Sequence, residues 1–380
     1  MRPLLLALGL LLLAGCASKP RFEPAPLKKI ADAQVRVEPG WKADVGSLAG
    51  STALRPLIAA GRVFTADAQG RLQARDADGA LLWERETEQR LGAGPALVDG
   101  QLIVGGRDGT LAAFAATDGE PRWQRLLSSE IGTLPAGDER LLVVKTEDGR
   151  VHALDPADGR TRWVVPLTVP PLTWRGNAAL ALLDDVVLVG TATGRVKALA
   201  INDGALAWEQ SIAEPSGRSE VERLVDVDAD LLLAGPVVVA SSSAGSTKVL
   251  RRDSGLPLWE RGLGGYVQPA IDENCLYVVD AQDAVHCLEP SSGAAQWAQE
   301  QLGYRRLTAP AAYRGNVVLG DSEGYAHVLS TADGRIIGRA RLGRAPLQWV
   351  GPAPDGEGLL ALARDGRLQR FVVEPQATAE

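Results

Sequence analysis

A tryptophan returns along this chain at positions 41, 83, 123, 163, 208, 259 and 297, at intervals of 38 to 51 residues. All but the first stand four residues after the glycine of a turn, in the pairs Asp78-Gly79, Asp118-Gly119, Asp158-Gly159, Asp203-Gly204, Ser254-Gly255 and Ser292-Gly293. One further turn, Asp333-Gly334, has Gly338 at the tryptophan position. A unit copied at this period, made of short apolar runs and Gly-Asp turns without helical periodicity, predicts an all-β fold. The architecture expected is a β-propeller of four-stranded antiparallel blades.

One unit shows how the residues produce a blade. Residues 95–98 form a short inner strand, Asp99-Gly100 turns it, residues 102–105 return, and Asp108-Gly109 makes a hairpin. Residues 111–115 are the third strand, and Arg122-Trp123-Gln124 lies on the outermost one. Neighbouring blades cover both faces, so the central strands read as continuous apolar runs, as at 141–144 and 186–189. The tryptophan is expected to fill the gap where outer strands splay apart.

Inner strands begin near Leu54, Pro95, Thr133, Asn177, Ala234, Pro269, Ala309 and Trp349, which makes an eight-bladed ring. The last set ends at residues 367–373 with no outer strand after it. The segment Gly40-Trp41-Lys42-Ala43 has the outer-strand pattern and precedes the first set, so this N-terminal strand is expected to complete the eighth blade. Closure of that kind removes free sheet edges and ties both termini into one ring.

Arg2 and the apolar run from Leu4 to Leu13 lead into Leu13-Ala14-Gly15-Cys16, which resembles the signal and lipobox of a bacterial lipoprotein. The run is too short for a bilayer-spanning helix, which needs about 20 apolar residues. The resemblance implies cleavage before Cys16 and lipidation of its thiol and amine; cleavage without lipidation is the alternative. Ala17 and Ser18, with no acidic residue after the cysteine, fit sorting to the outer membrane. The organisation expected is a signal peptide at 1–15, a lipidated tether at 16–34, the propeller at 35–375 and a short tail at 376–380.

A net charge of −7 argues against a nucleic-acid ligand, which asks for a basic surface. Cys275 and Cys287 flank one hairpin; in an oxidising compartment they either pair or remain packing residues. His152, His286 and His327 occupy one equivalent third-strand position, where other repeats carry Gln73, Ala112, Lys197, Lys248 and Gln369. They read as a tolerant polar position rather than a metal-ligand set. The stretch 241–245 lacks the strand-turn-helix context and histidine partner of a hydrolase, and no phosphate loop is present. No catalytic residue, metal site or cofactor is assigned.

Two connections break the repeat. Residues 164–177 and the stretch from Trp208 to Pro236 are extended, and both join an outer strand to the next inner strand. They therefore emerge on one face from successive blades and are expected to form one surface. Leu172, Trp174 and Arg175 stand on the first, and Arg218, Glu220, Glu222, Arg223, Leu224, Asp226 and Asp228 on the second. An aromatic beside arginine and carboxylates suits a protein-binding hot spot. Packing of Trp174 under its own loop, and a merely solvated second loop, are the alternatives.

The outer-strand motif at 153–163 resembles the tryptophan repeat of pyrroloquinoline-quinone dehydrogenases, which are also eight-bladed. The chain lacks the adjacent cysteines those enzymes typically carry, so the likeness supports the fold more than the chemistry. Residues 1–375 as a whole resemble the BamB family, propeller lipoproteins of the β-barrel assembly machinery. The segments 172–176, 219–228 and 320–325 carry the likeness most specifically. It implies a non-catalytic, outer-membrane-anchored scaffold facing the periplasm. It also implies binding of the POTRA domains of BamA through Leu172, Trp174, Arg175, Asp226 and Asp228. Nascent outer-membrane proteins are a further candidate partner by strand addition. A pyrroloquinoline-quinone-dependent dehydrogenase-like quinoprotein and a lipoprotein binding glycan through Trp349 and the central channel are the competing readings.

Overall fold

The computed structural model describes residues 22–172, 178, 180–216, 218–219, 223–227 and 229–376. Its strands form eight four-stranded antiparallel sheets arranged as an eight-bladed propeller. Seven blades are continuous in sequence, at residues 57–86, 91–126, 136–166, 181–211, 232–261, 270–299 and 311–341. The eighth takes three strands from 347–375 and its outermost strand, Val35–Asp44, from the other end of the chain. That strand pairs along its length with Arg367–Pro375, from Val35 opposite Pro375 to Asp44 opposite Arg367, with a bulge between Pro39 and Lys42.

The central strands are buried because each blade is sandwiched. Leu142, Val143 and Val144, and likewise Val187, Leu188 and Val189, are fully enclosed. Apolar clusters lie between blades rather than in one common core; one joins Leu48, Leu54, Phe64 and Leu72 to Leu102, Leu360 and Leu362. Stability thus accumulates interface by interface around the ring.

Each repeated tryptophan reaches across such an interface to the turn glycine of the next blade. A Cβ on Gly159 would lie 2.7 Å from the Trp123 ring, one on Gly204 2.8 Å from Trp163, and one on Gly334 2.4 Å from Trp297. The indole N–H often donates to the same turn, as from Trp123 to the Pro156 carbonyl at 3.0 Å and from Trp259 to the Pro290 carbonyl at 2.9 Å. Trp41 does this for ring closure, stacking on Gly79 and donating to the Ala77 carbonyl at 3.0 Å. Gly338 now has a reason. Its blade faces the eighth, whose third strand runs to Pro375 instead of turning, so no turn glycine waits there. Val35 fills the place instead, with its Cγ2 2.6 Å from where a Cβ on Gly338 would stand.

Cys275 and Cys287 are bonded as a disulfide across the hairpin of the sixth blade, both fully buried.

Candidate functional site

In every blade the second strand turns into the third on the same face from which the outer strand departs for the next blade. This face carries the irregular connections. Among the described residues, the links after blades three and four are the long ones, spanning 167–180 and 212–231.

The first link exposes two aliphatic side chains, Val169 at 47 % and Leu172 at 44 %. The local sequence Thr168-Val169-Pro170-Pro171 favours exposure, since two prolines hold the backbone extended and withhold N–H groups, although Val169 keeps one methyl against Gly149, its Cγ2 2.3 Å from where a Cβ there would stand. Val169 was not singled out from sequence; an apolar residue ahead of a proline pair in a solvent-facing loop was the available signal.

The second link is divided. Of its described middle residues, Glu214, Arg218 and Arg223 face solvent. Its end packs down: Val225, Val227, Ala229 and Leu231 are buried, and Val227 joins the cluster of Ala178, Leu188 and Val238. Val227 N–H donates to the Thr191 carbonyl at 3.2 Å, and Ser242 Oγ donates to the Val225 carbonyl at 3.1 Å. The loop is therefore riveted across blades four and five. Asp226 lies within the riveted part and is fully buried. The expectation that Asp226 stands on the shared partner surface is corrected, because its alternate apolar neighbours pull the intervening carboxylate under that surface. Trp174, Arg175, Glu220, Glu222 and Asp228, and likewise Cys16, lie outside the described residues.

Inside the same face the channel mouth opens as a cavity of about 870 Å³. Leu224 and Asp230 of the second link border it, together with Arg306, Trp349 and Arg364. It is spanned by an ion pair. Arg55, leading into the first blade, meets Asp230, leading into the fifth, at 2.5 Å. In a ring of eight these blades are opposite each other, so the pair braces the ring across its axis. Trp349 is half-buried, its indole lying against Gly351 and the apolar cluster behind it.

The three histidines are each engaged locally. His152 Nε2 lies 3.2 Å from Ser128 Oγ, His286 Nε2 2.9 Å from Asp280, and His327 Nε2 2.8 Å from Asp321. Their strand register is equivalent, opposite Val144, Val278 and Leu319, as Lys197 stands opposite Val189. Among the described residues no group of three or more His, Cys, Asp or Glu is placed to hold a metal.

Comparison with known proteins adds identity to this geometry. The family described as outer membrane protein assembly factor BamB matches residues 68–299. The factor of that name from Alkalilimnicola ehrlichii is 44 % identical over 370 residues, 97 % of this chain and 96 % of the relative. The crystal structure of BamB from Moraxella catarrhalis superposes with a TM-score of 0.80 at 23 % identity, covering 88 % of this chain and 99 % of that one. A quinohemoprotein alcohol dehydrogenase from Comamonas testosteroni shares the fold with a TM-score of 0.69 at 13 % identity, over 88 % of this chain and 76 % of that enzyme.

Proposed function

Because this chain belongs to the BamB family of outer-membrane protein assembly factors, we propose that it is a lipid-anchored periplasmic scaffold that binds the POTRA domains of the BamA insertase. It is an assembly factor associated with the outer membrane, not an enzyme. The observation that carries the finer reading is the pair of long links on one face of a braced ring, presenting Val169, Leu172, Arg218 and Arg223 to solvent. Exposed aliphatic groups on one link and arginines on the next supply an apolar anchor and a charged rim. Trp174, Arg175 and Asp228 complete the surface by resemblance, while Asp226 supports it from beneath.

Affinity capture of the tagged protein from membranes tests it, alongside Cys16→Ala. The wild type should be acylated and bring down BamA; the variant should fold but lose acylation and leave the outer membrane. Acylation of the variant at wild-type level would refute the anchor, and capture without BamA would refute the partner.

A further inference from the structure

Residues 22–34, read from sequence as part of a tether, lie on the ring. Phe22 meets Tyr304 edge-on with ring centroids 5.6 Å apart. Ala25 N–H donates to the Gly303 carbonyl at 2.9 Å, and the Ala25 carbonyl accepts from Arg305 Nη1 at 2.7 Å. Leu27 packs on the cluster of Leu302, Leu307 and Leu319. The Lys28 carbonyl accepts from Arg339 Nη1 at 3.0 Å, and Gln34 N–H donates to the Ile337 carbonyl at 2.9 Å. Arg305 is a built dock rather than a surface contact. Its side chain is 2 % exposed, with Nε on Asp321 at 2.8 Å and Nη2 on Glu323. Held by two carboxylates, it is preoriented toward the incoming carbonyl.

The segment therefore starts on the loop-bearing face, at the junction of blades six and seven, and descends along the outer strand of blade seven to Val35. Exposed arginines gather on that face nearby, at Arg306, Arg341, Arg344 and Arg364. Among the described residues Arg306, Arg344 and Arg364 make no ion pair. Of the acidic residues on this part of the face, Glu323 and Asp365 pair with Arg305 and Arg367, leaving Glu300 and Asp44 beside the arginines.

We propose that this rim rests on the bilayer, with residues 22–34 as a docked strap and the arginines facing anionic phospholipid headgroups. The inference rests on the reading that Cys16 carries lipid. Five residues then separate the anchor from Phe22, six chain steps with a reach of about 20 Å, whereas a free segment from 16 to 34 would reach about 60 Å. Basic groups near an anionic surface reinforce the short leash. The long links, two and three blades further round, lie on the same face, so one face meets both bilayer and protein partner.

Two measurements on the purified full-length mature protein decide it. Hydrogen exchange reads the strap: the amides of Ala25 and Gln34 should exchange at least about tenfold more slowly than a free chain, as hydrogen-bonded groups do. Exchange at free-chain rates would overturn docking. Energy transfer to acceptor lipids in phosphatidylglycerol-containing vesicles reads the orientation. A dye on Arg344→Cys should transfer more strongly than one on Ala332→Cys at the opposite face, and a flexible Gly-Ser insertion between residues 21 and 22 should reduce the difference. Equal transfer from both dyes would overturn the orientation. Failure to float with vesicles would refute the lipid anchor and the orientation together, leaving docking to stand or fall on exchange alone.

Discussion

The third-strand polar position shows what single residues do in this ring. Its occupants differ, yet most have found local partners: Gln73 donates to Glu84 at 2.6 Å, and Lys248 pairs with Glu260 at 3.0 Å. At the most enclosed of these positions, Arg339 Nε donates to His327 Nδ1 at 3.1 Å, so Nε2 carries the proton toward Asp321. Burial outweighs the carboxylate and lowers the His327 pKa. Burial would raise Asp321, but hydrogen bonds from His327 and the Tyr325 N–H, with Arg305, hold it down at about 2. The signs follow. A histidine with a lowered folded pKa contributes stability that is present above the unfolded value of about 6.5 and is lost as pH falls below it. Asp321 loses its contribution only in the more acid window, from about 4 down to about 2. Chemical unfolding from pH 7.5 to 5 should therefore show stability decreasing with acid, and His327→Gln should flatten that slope; an unchanged slope would place the titrating group elsewhere. Alignment of repeats located this histidine in sequence, but not its partners, which come from a turn and a neighbouring strand. Asp226 was less legible for a related reason: its burial depends on Val225 and Val227 finding blade surfaces, which only packing reveals.

Among elements, the tryptophan and the glycine turn were visible as separate periodic marks, and the structure joins them into one contact between successive blades. Gly159 and Gly100 separate the two demands on such a glycine. Both have left-handed backbones, with φ of 71° and 70°. Only Gly159 faces an indole; a Cβ on Gly100 would meet nothing within 4 Å. Gly100→Ala should cost about 1 kcal/mol through backbone strain alone. Gly159→Ala adds overpacking against Trp123 and should cost about 2–4 kcal/mol in denaturant titration. Equal losses would contradict the stacking account. Closure by Val35–Asp44 was legible because one strand was missing at one end and one spare at the other. The docking of residues 22–34 was not, since a proline-rich segment without periodicity carries no mark of the groove that receives it.

At the scale of the whole molecule, strand closure and the Arg55–Asp230 brace make the ring a stiff platform, and its long links are the surfaces that depart from the repeat. The eight-bladed count and the common face of those links followed from strand order alone. The exposed part of the site did not, because loop burial obeys no period. The central claim is that these links bind the POTRA region, and calorimetric titration of the purified protein with that region tests it most directly. Leu172→Glu and Arg175→Glu should each weaken binding at least tenfold, about 1.4 kcal/mol. Their unfolding should stay within about 0.5 kcal/mol of wild type, and Ala332→Glu on the opposite face should bind normally. Wild-type affinity in both link variants, with intact folding, would contradict the account and place the interface elsewhere on the ring.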